Sequence, residues 1–387
     1  MPFQQAPKFW LYSHNFTHTG APLVLGAIAR ELAEQGWRRQ LRLLSWGGHH
    51  DRVHTKLRRE LEAEGFHCRV LNPEQAAPKP KPNDRILLNS LALPEAVIKT
   101  ALARLECGEI KRLDWYGHEG NPSQLLADKQ WPQRLLPLLS TGKLQMRVPS
   151  IHTLGSYQNW LEYSGSNLAV QTPLLPLKNS GCSLFDQPLP TFNSLRLQLT
   201  GMAGDGNKGH SWLLQLIQQA LCLEKKEFRP LELQFIGLES DFHALLDREL
   251  RFWGHALLGD RFSWVPHGNR SDALNAMVNA NFAVSCSRSE TFSMVSLEAM
   301  ALGQPLLRNR TGGWQEQLLG GINGFDLGET GLTPQPQHVQ LLQRLRDPLL
   351  TTNSQLQTMA QAARAKAKSF SQMNYSNWLL NSLKPSR

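Results

Sequence analysis

The chain has 387 residues, 41% of them hydrophobic and 19% charged, with a formal net charge of +9. That composition excludes a disordered or low-complexity protein, and the length points to two or three domains rather than a single core. No apolar stretch reaches the roughly 18 residues that suggest a membrane span, and MPFQQAPKFWLYSHN lacks the basic start and apolar core of a secretory signal, so a cytosolic protein is expected.

The five cysteines, Cys68, Cys107, Cys182, Cys222 and Cys286, are scattered and form no CxxC pair. Reduced thiols are therefore expected rather than a disulfide framework or a zinc site. The charge excess is +6 up to Leu175 and +3 beyond it. A basic face can serve nucleic acid, anionic lipid or a phosphorylated ligand. However, RRELEAEG and KTALARLECGEIKRL mix both signs at helical spacing, the pattern of solvated helix faces.

In chain order, KFWLYSHN is a buried strand and FTHTGAP a turn-rich loop. Leu23 to Gln35 is a helix stopped by Gly36. RQLRLLSW is a second strand, TKLRRELEAEG a second helix, and HCRVL and RILLNS further strands. This alternation predicts a parallel sheet with helical crossovers. NPEQAAPKPKPND, with its four prolines, is an exposed loop.

A second break, Thr172 to Phe192, is rich in Pro, Gly and Ser and divides the chain nearly in half. The expected domains are 1–175 and 193–370, joined by a linker over 176–192. A terminal helix over 371–387 is expected to pack back on the first domain. After the break come LRLQLTG, a strand, GHSWLLQLIQQALCL, a helix, LELQFIG, a strand, and DFHALLDREL, a helix. RFSWV, NFAVSCS and PLLRN are short strands, and LQTMAQAARAKAKSF is a surface helix. Two doubly wound domains facing across a cleft bind ligands at the carboxyl ends of their strands.

Loops that follow strands therefore hold the candidate site residues. In SETFSMVSLEAM, two glutamates stand eight positions apart, about 12 Å along a helix. That is too long for a carboxylate pair acting across one glycosidic bond, which needs roughly 5–9.5 Å, but it suits the two ends of an elongated ligand. Glu290 falls in the loop after NFAVSCS, with a helix starting near Phe292 or Ser293 and capped by Thr291 or Ser293. Such a helix end attracts phosphate. Glu290 could equally be an exposed acid that favours the helix dipole. Glu298 shares a face with Met294, Val295, Ala301 and Leu302, so its carboxylate needs a partner, from either protein or ligand.

Lys208 lies in GMAGDGNKGH, whose four glycines let backbone N–H groups approach a diphosphate. The loop has neither Walker nor dinucleotide-fingerprint spacing, and a lysine in a turn is also an ordinary solvated residue. Gly20 in THTGAP fits an ordinary turn or a close backbone approach to ligand. His118, beside Glu119 in RLDWYGHEGNP, fits a structural histidine or one that hydrogen-bonds a sugar.

Together these segments resemble glycosyltransferase family 4, the glycosyl transferases of group 1. SRSETFSMVSLEAMALGQPLLRNRTGGWQEQLLGGINGF is similar to that family's most characteristic stretch, and SHNFTHTGAPLVLGAIARELAEQGW to its amino-terminal loop and first helix. The resemblance implies an α/β GT-B fold, two Rossmann-like doubly wound domains facing across a cleft. It implies a retaining transferase that moves a sugar from a nucleotide-diphosphate donor to a glycan or lipid-linked acceptor in cell-envelope or extracellular polysaccharide synthesis, without metal or other cofactor. By the same resemblance, His118 lies near the reacting carbon and Glu290 contacts the transferred sugar. Phe292 and Ser293 offer backbone N–H groups, Glu298 holds the ribose hydroxyls, Lys208 neutralises the diphosphate, and Gly20 lets the first loop close over it. Met202 stands where the family's usual phosphate-binding arginine is found, Thr19 where the first glycine of a pair is common, and the loop to Lys208 is one residue longer. A nucleotide-sugar epimerase or hydrolase of the same fold, or an inactive sugar-nucleotide-binding protein, are the alternatives. The basic first half would suit peripheral contact with a membrane that carries the acceptor. No aromatic-basic motif for nucleic acid is present.

Overall fold

The computed structural model describes residues 6–17, 20–46, 56–72, 74–128, 130–173, 193–203, 206–221, 229–237, 244–266, 270–329, 347–371 and 379. The chain divides into two compact units, Met1–Pro176 with Met373–Arg387, and Leu177–Gln372. The expected linker over 176–192 lies outside the described residues, as does the expected terminal helix apart from Ser371 and Leu379.

The first unit is built on seven parallel strands in the order β3-β2-β1-β4-β5-β6-β7. They are β1 (Phe9–Ser13), β2 (Leu41–Ser45), β3 (Cys68–Val70), β4 (Arg85–Asn89), β5 (Leu113–Tyr116), β6 (Leu144–Val148) and β7 (Leu168–Val170). Every residue of β1 is buried, because helices cover both faces of a parallel sheet and leave its central strands no solvated side. Leu11 pairs with Leu43 of β2 and Leu87 of β4, which places β1 between them inside the sheet. Leu88, Trp115 and Met146 pack with Ile98, Leu102 and Leu105 of α3 (Glu95–Glu106) in the core. Each such leucine contributes roughly 1.5–3 kcal/mol by leaving water.

Helix α1 spans Gly20–Glu34 and buries Val24, Leu25, Ile28 and Leu32, a stripe at helical spacing. It begins three residues before the expected Leu23. Pro22 sits in the first turn, where its missing N–H costs no helical bond, so GAP joins the helix instead of the loop. At the other end Gly36 takes φ +91°, and Trp37 N donates to Leu32 O at 3.0 Å, the glycine-terminated ending that the sequence announces. Helix α2 (Lys56–Ala63) carries the Arg58–Glu62 pair, and α3 the Glu95–Lys99 pair, so the mixed-sign segments are solvated helix faces.

Five helices and strands of this unit, β7 among them, were not apparent from the sequence. Between β5 and β6 lie the single turn α4 (Pro122–Leu125) and α5 (Gln130–Ser140); β6 and α6 (Ile151–Leu161) follow. Pro137 lies inside α5, where a proline normally signals a break. Trp131, Leu135, Leu138 and Leu139 are all buried, and that packing outweighs the lost backbone bond.

The second unit has six parallel strands in the order β10-β9-β8-β11-β12-β13. They are β8 (Leu195–Thr200), β9 (Leu231–Gly237), β10 (Phe262–Pro266), β11 (Phe282–Ser285), β12 (Leu306–Asn309) and β13 (Gly324–Gly328). Helix α7 (His210–Leu221) and helix α8 (Ala244–Leu258) pack Leu213, Ile217, Leu250 and Leu258 on Leu197, Phe235 and Phe262. α9 is Arg270–Met277, α10 Met294–Ala301 and α11 Trp314–Gln317. The helix Asn353–Ser371 packs beside α10; Phe370 meets Phe292 edge-on at 5.4 Å and Arg364 donates to Leu302 O at 3.2 Å.

In their own strand order the first sheet runs 3-2-1-4-5-6-7 and the second 3-2-1-4-5-6, the doubly wound arrangement. The order reverses between β1 and β4 in one unit and between β8 and β11 in the other. Ligands bind at such reversals, beyond the carboxyl ends of the strands.

Candidate functional site

In the second unit the reversal is a small opening lined by Leu199, Thr200, Lys208, Val284, Ser285, Ser287, Ser293 and Val295. The chain leaves β8 at Gly201, with φ +151°, and a Cβ there would lie 2.9 Å from Lys208 Cγ. Only glycine lets the loop fold back so closely on the lysine stem. Gly209, at φ +75°, lies against the Cys286 carbonyl, where a Cβ would come within 2.2 Å.

Asn207 then ties this loop to the one after β11. Its Oδ1 accepts from Ser289 N at 3.0 Å, its Nδ2 donates to Ser289 O at 3.1 Å, and Arg288 N donates to Asn207 O at 2.7 Å. These bonds bring Lys208 Nζ to 3.0 Å from Glu290 Oε2. The Thr311–Gly313 turn supports Glu290 from behind. Gly312 packs on the Glu290 carbonyl, and Gly313 N donates to Thr291 O at 2.9 Å.

Helix α10 begins where expected. Ser293 is its N-cap and accepts from Ser296 N at 3.2 Å, while Gln317 Nε2 holds the Ser293 carbonyl at 2.9 Å. The other first-turn N–H groups project from the helix end, a setting suited to an anion. The Phe292 ring is buried against Phe370, so this residue offers the opening only backbone.

Glu298, 7% exposed, has the partner its burial demands. Its Oε1 accepts from Arg270 Nε at 2.9 Å and Nη2 at 2.7 Å, so the protein itself supplies that partner. Arg270 opens α9, 28 positions away in sequence, and no local pattern announces the contact.

Two further groups were missed. Arg308, on β12, is fully buried; its Nη2 donates to Thr311 O at 3.2 Å, and among the described residues Nε and Nη1 have no partner. Burial lowers its pKa to about 10, against the pull of Glu290 and Glu316. Glu290 thus lies under the influence of two cations, Lys208 and Arg308. His210, at the start of α7, is buried, edge-on to Phe235 and stacked on Trp264, and among the described residues neither ring nitrogen has a partner. Burial, then the Lys208 charge, lower its pKa to about 3. Met202, where the family pattern has arginine, is 44% exposed.

In the first unit, the reversal brings together the ends of β1, β4 and β5. Asn89 ends β4; its Nδ2 donates to Ala21 O at 2.8 Å, in the first turn of α1, and its Oδ1 lies 2.9 Å from His118 Nε2. Glu119 turns the other way, accepting from Ser90 Oγ and, at 2.9 Å, from Leu91 N. Dense surroundings, then His14, lower the His118 pKa to about 3, although the residue as a whole is only partly buried. Burial likewise lowers that of His14. A Cβ on Gly20 would meet nothing within 4 Å, so packing does not require glycine there.

The two clusters differ in chemistry. The second unit offers a cation, a helix N-terminus and a carboxylate around one opening, a complement to a diphosphate bearing a hydroxylated group. The first unit offers a neutral imidazole. Among the described residues no three His, Cys, Asp or Glu side chains are grouped to hold a metal ion.

Known proteins fit this picture. Residues 196–344 match the family model of the glycosyl transferases group 1. No curated protein matches the chain in sequence. Among solved structures, the chain is similar to HepE of Anabaena in complex with UDP, with TM-score 0.71, 15% identity, and 98% of this chain and 100% of that one covered. A glycosyltransferase from Rickettsia africae superposes with TM-score 0.67, 16% identity and coverage of 98% and 100%. Sucrose-phosphate synthase from Thermosynechococcus elongatus gives 0.66, 16%, and 98% of both chains. The chain therefore has the GT-B fold of these proteins, and its second unit carries, over residues 196–344, the sequence pattern of the glycosyl transferases of group 1.

Proposed function

We propose that the protein is a retaining glycosyltransferase of family 4. It takes a sugar from a nucleoside diphosphate donor bound at the β8–β11 opening and transfers it to a glycan or lipid-linked acceptor in cell-envelope or extracellular polysaccharide synthesis. The observation that carries the reading is the Lys208–Glu290 pair beside the N-terminus of α10. The donor diphosphate takes the lysine charge and the helix N–H groups, and Glu290 is released to accept hydrogen bonds from the sugar hydroxyls. As the acceptor hydroxyl bonds to the anomeric carbon, the bond to the β-phosphate oxygen breaks. The diphosphate leaves with the electron pair and takes up the hydroxyl proton. Lys208 and the oriented N–H groups stabilise that leaving charge without a metal ion.

Phe292 and Ser293 contribute backbone N–H groups, Glu298 receives the ribose hydroxyls beside its pair with Arg270, and His118 hydrogen-bonds the sugar. UDP is the first base to test, since the HepE structure contains it. The net +6 of residues up to Leu175 supports transient contact with an anionic membrane, and no helix among the described residues is long and apolar enough to cross one.

Incubation with UDP-sugars and a panel of glycan and lipid-linked acceptors, read by mass spectrometry, tests the reading. Acceptor-dependent product that disappears in Glu290→Ala supports it. Free sugar released at the same rate without acceptor would make the protein a hydrolase. Met202 favours a second reading, a sugar-nucleotide binder without turnover; tight UDP-sugar binding with no product from any acceptor would favour that one.

A further inference from the structure

Asn89 stands at the strand-order reversal of the first unit, the last residue of β4, and it is fully buried. Its side-chain amide is oriented by chemistry. The Ala21 carbonyl can only accept, so the group 2.8 Å from it is the amide nitrogen. The amide oxygen therefore faces His118 Nε2 at 2.9 Å, and because that oxygen can only accept, Nε2 must carry a hydrogen. His118 Nδ1 makes no hydrogen bond among the described residues.

A strained turn holds Asn89 in place. The next residue, Ser90, has φ +147°, a region that non-glycine residues occupy only where their surroundings over-determine it. Glu119 supplies much of that determination. One oxygen accepts from Ser90 Oγ and the other from Leu91 N, while Ser90 Oγ accepts from Ala92 N at 2.8 Å and Trp115 Nε1 donates to Ser90 O at 3.2 Å. The neighbours His118 and Glu119 thus both engage this one turn. Glu119 fixes the backbone after Asn89, and Asn89 fixes the ring of His118.

We propose that Asn89 is a positioning residue that holds His118 as the neutral imidazole protonated on Nε2, so that Nδ1 is presented as a hydrogen-bond acceptor for a substrate hydroxyl. The substrate half of this statement rests on the transferase reading; the tautomer half does not. His118 then neither donates a proton to a leaving group nor carries positive charge. Its depressed pKa agrees, and its titratable neighbour His14 is depressed as well.

The test is long-range 1H–15N NMR of the full chain labelled at histidine nitrogen, with the His118 signals assigned by His118→Gln. In the wild type, His118 is expected to show the neutral Nε2–H pattern between about pH 5 and pH 8. Asn89→Asp keeps an acceptor but adds a carboxylate beside Nε2, which favours the imidazolium. His118 should then protonate at higher pH, and kcat should fall about tenfold or more with donor KM nearly unchanged, recovering as pH rises. A wild-type Nδ1–H tautomer overturns the proposal, and that measurement needs neither variant nor activity. An Asn89→Asp protein that is less stable but keeps the wild-type His118 spectrum and pH profile also overturns it, leaving Asn89 a purely structural role. If no sugar is transferred yet the Nε2–H pattern is found, the functional reading fails and the tautomer assignment stands.

Discussion

Lys208 and Glu290, 82 positions apart in sequence, meet at 3.0 Å where the loops after β8 and β11 are tied together by Asn207. The lysine side chain is 30% exposed and the glutamate 15%, so the pair borders the opening rather than being sealed beneath it. Ion pairs this exposed are worth no more than about 1 kcal/mol, small enough for a diphosphate to displace.

That displacement has a direction. Replacing Glu290 with Gln removes the group that competes for Lys208, so UDP without a sugar should bind more tightly, by about fivefold at most. Sugar transfer should fall by about a hundredfold or more, because the hydroxyl contact is lost. Calorimetry with UDP and initial rates with UDP-sugar measure the two effects. Weaker UDP binding in Glu290→Gln would mean that the carboxylate does not hold the lysine in competition with the nucleotide.

Glu298 and Arg270 form a mostly buried pair, with side chains 9% and 20% exposed. Glu298→Ala strands the arginine and should lower stability by about 1–3 kcal/mol, visible as a lower Tm; Arg270→Ala should cost a similar amount and the double variant less than the sum. The ligand role is separable from this structural one. Wild type should bind UDP better than 2′-deoxy-UDP, and Glu298→Gln should remove the preference. If the preference persists, Glu298 serves Arg270 alone.

His210 and His118 have pKa values of about 3 in the folded protein, against a usual value near 6.5. For a group whose folded pKa is depressed, unfolding takes up protons at acidic pH. Stability is therefore fully present above about pH 6.5 and is lost as pH falls from there toward 3, with a limiting slope of about 1.4 kcal/mol per pH unit for each histidine. Among the described residues His210 has no hydrogen bond to lose, so His210→Phe should flatten the dependence between about pH 7 and pH 5 while keeping the contacts with Phe235 and Trp264. Urea melts at both pH values decide it; an unchanged slope would show that His210 titrates in the folded state.

Much of this was legible in the sequence because it is local. The apolar runs of β1, β8 and β11, the stripe of α1 ending at Gly36, the glycine loop before Lys208 and the Ser293 cap are each set by neighbours a few positions away. What was hidden depends on distant pairing. RILLNS reads as a strand, yet Asn89 acquires its role from His118 and Ala21. Nothing near Arg270 in the sequence signals its contact with Glu298, and Arg308 lies within PLLRN, which reads only as a strand. Helix α5 was obscured for the opposite reason, since Pro137 is a local signal that tertiary packing overrides.

The central claim is that Lys208 binds the diphosphate of a nucleotide donor, and calorimetric titration of UDP and uridine into wild type and Lys208→Ala tests it most directly. A charge-assisted contact of about 1.5–3 kcal/mol predicts roughly a 10- to 100-fold loss of UDP affinity in the variant, with uridine affinity nearly unchanged. Equal losses for both ligands, or no loss for UDP, would contradict the account.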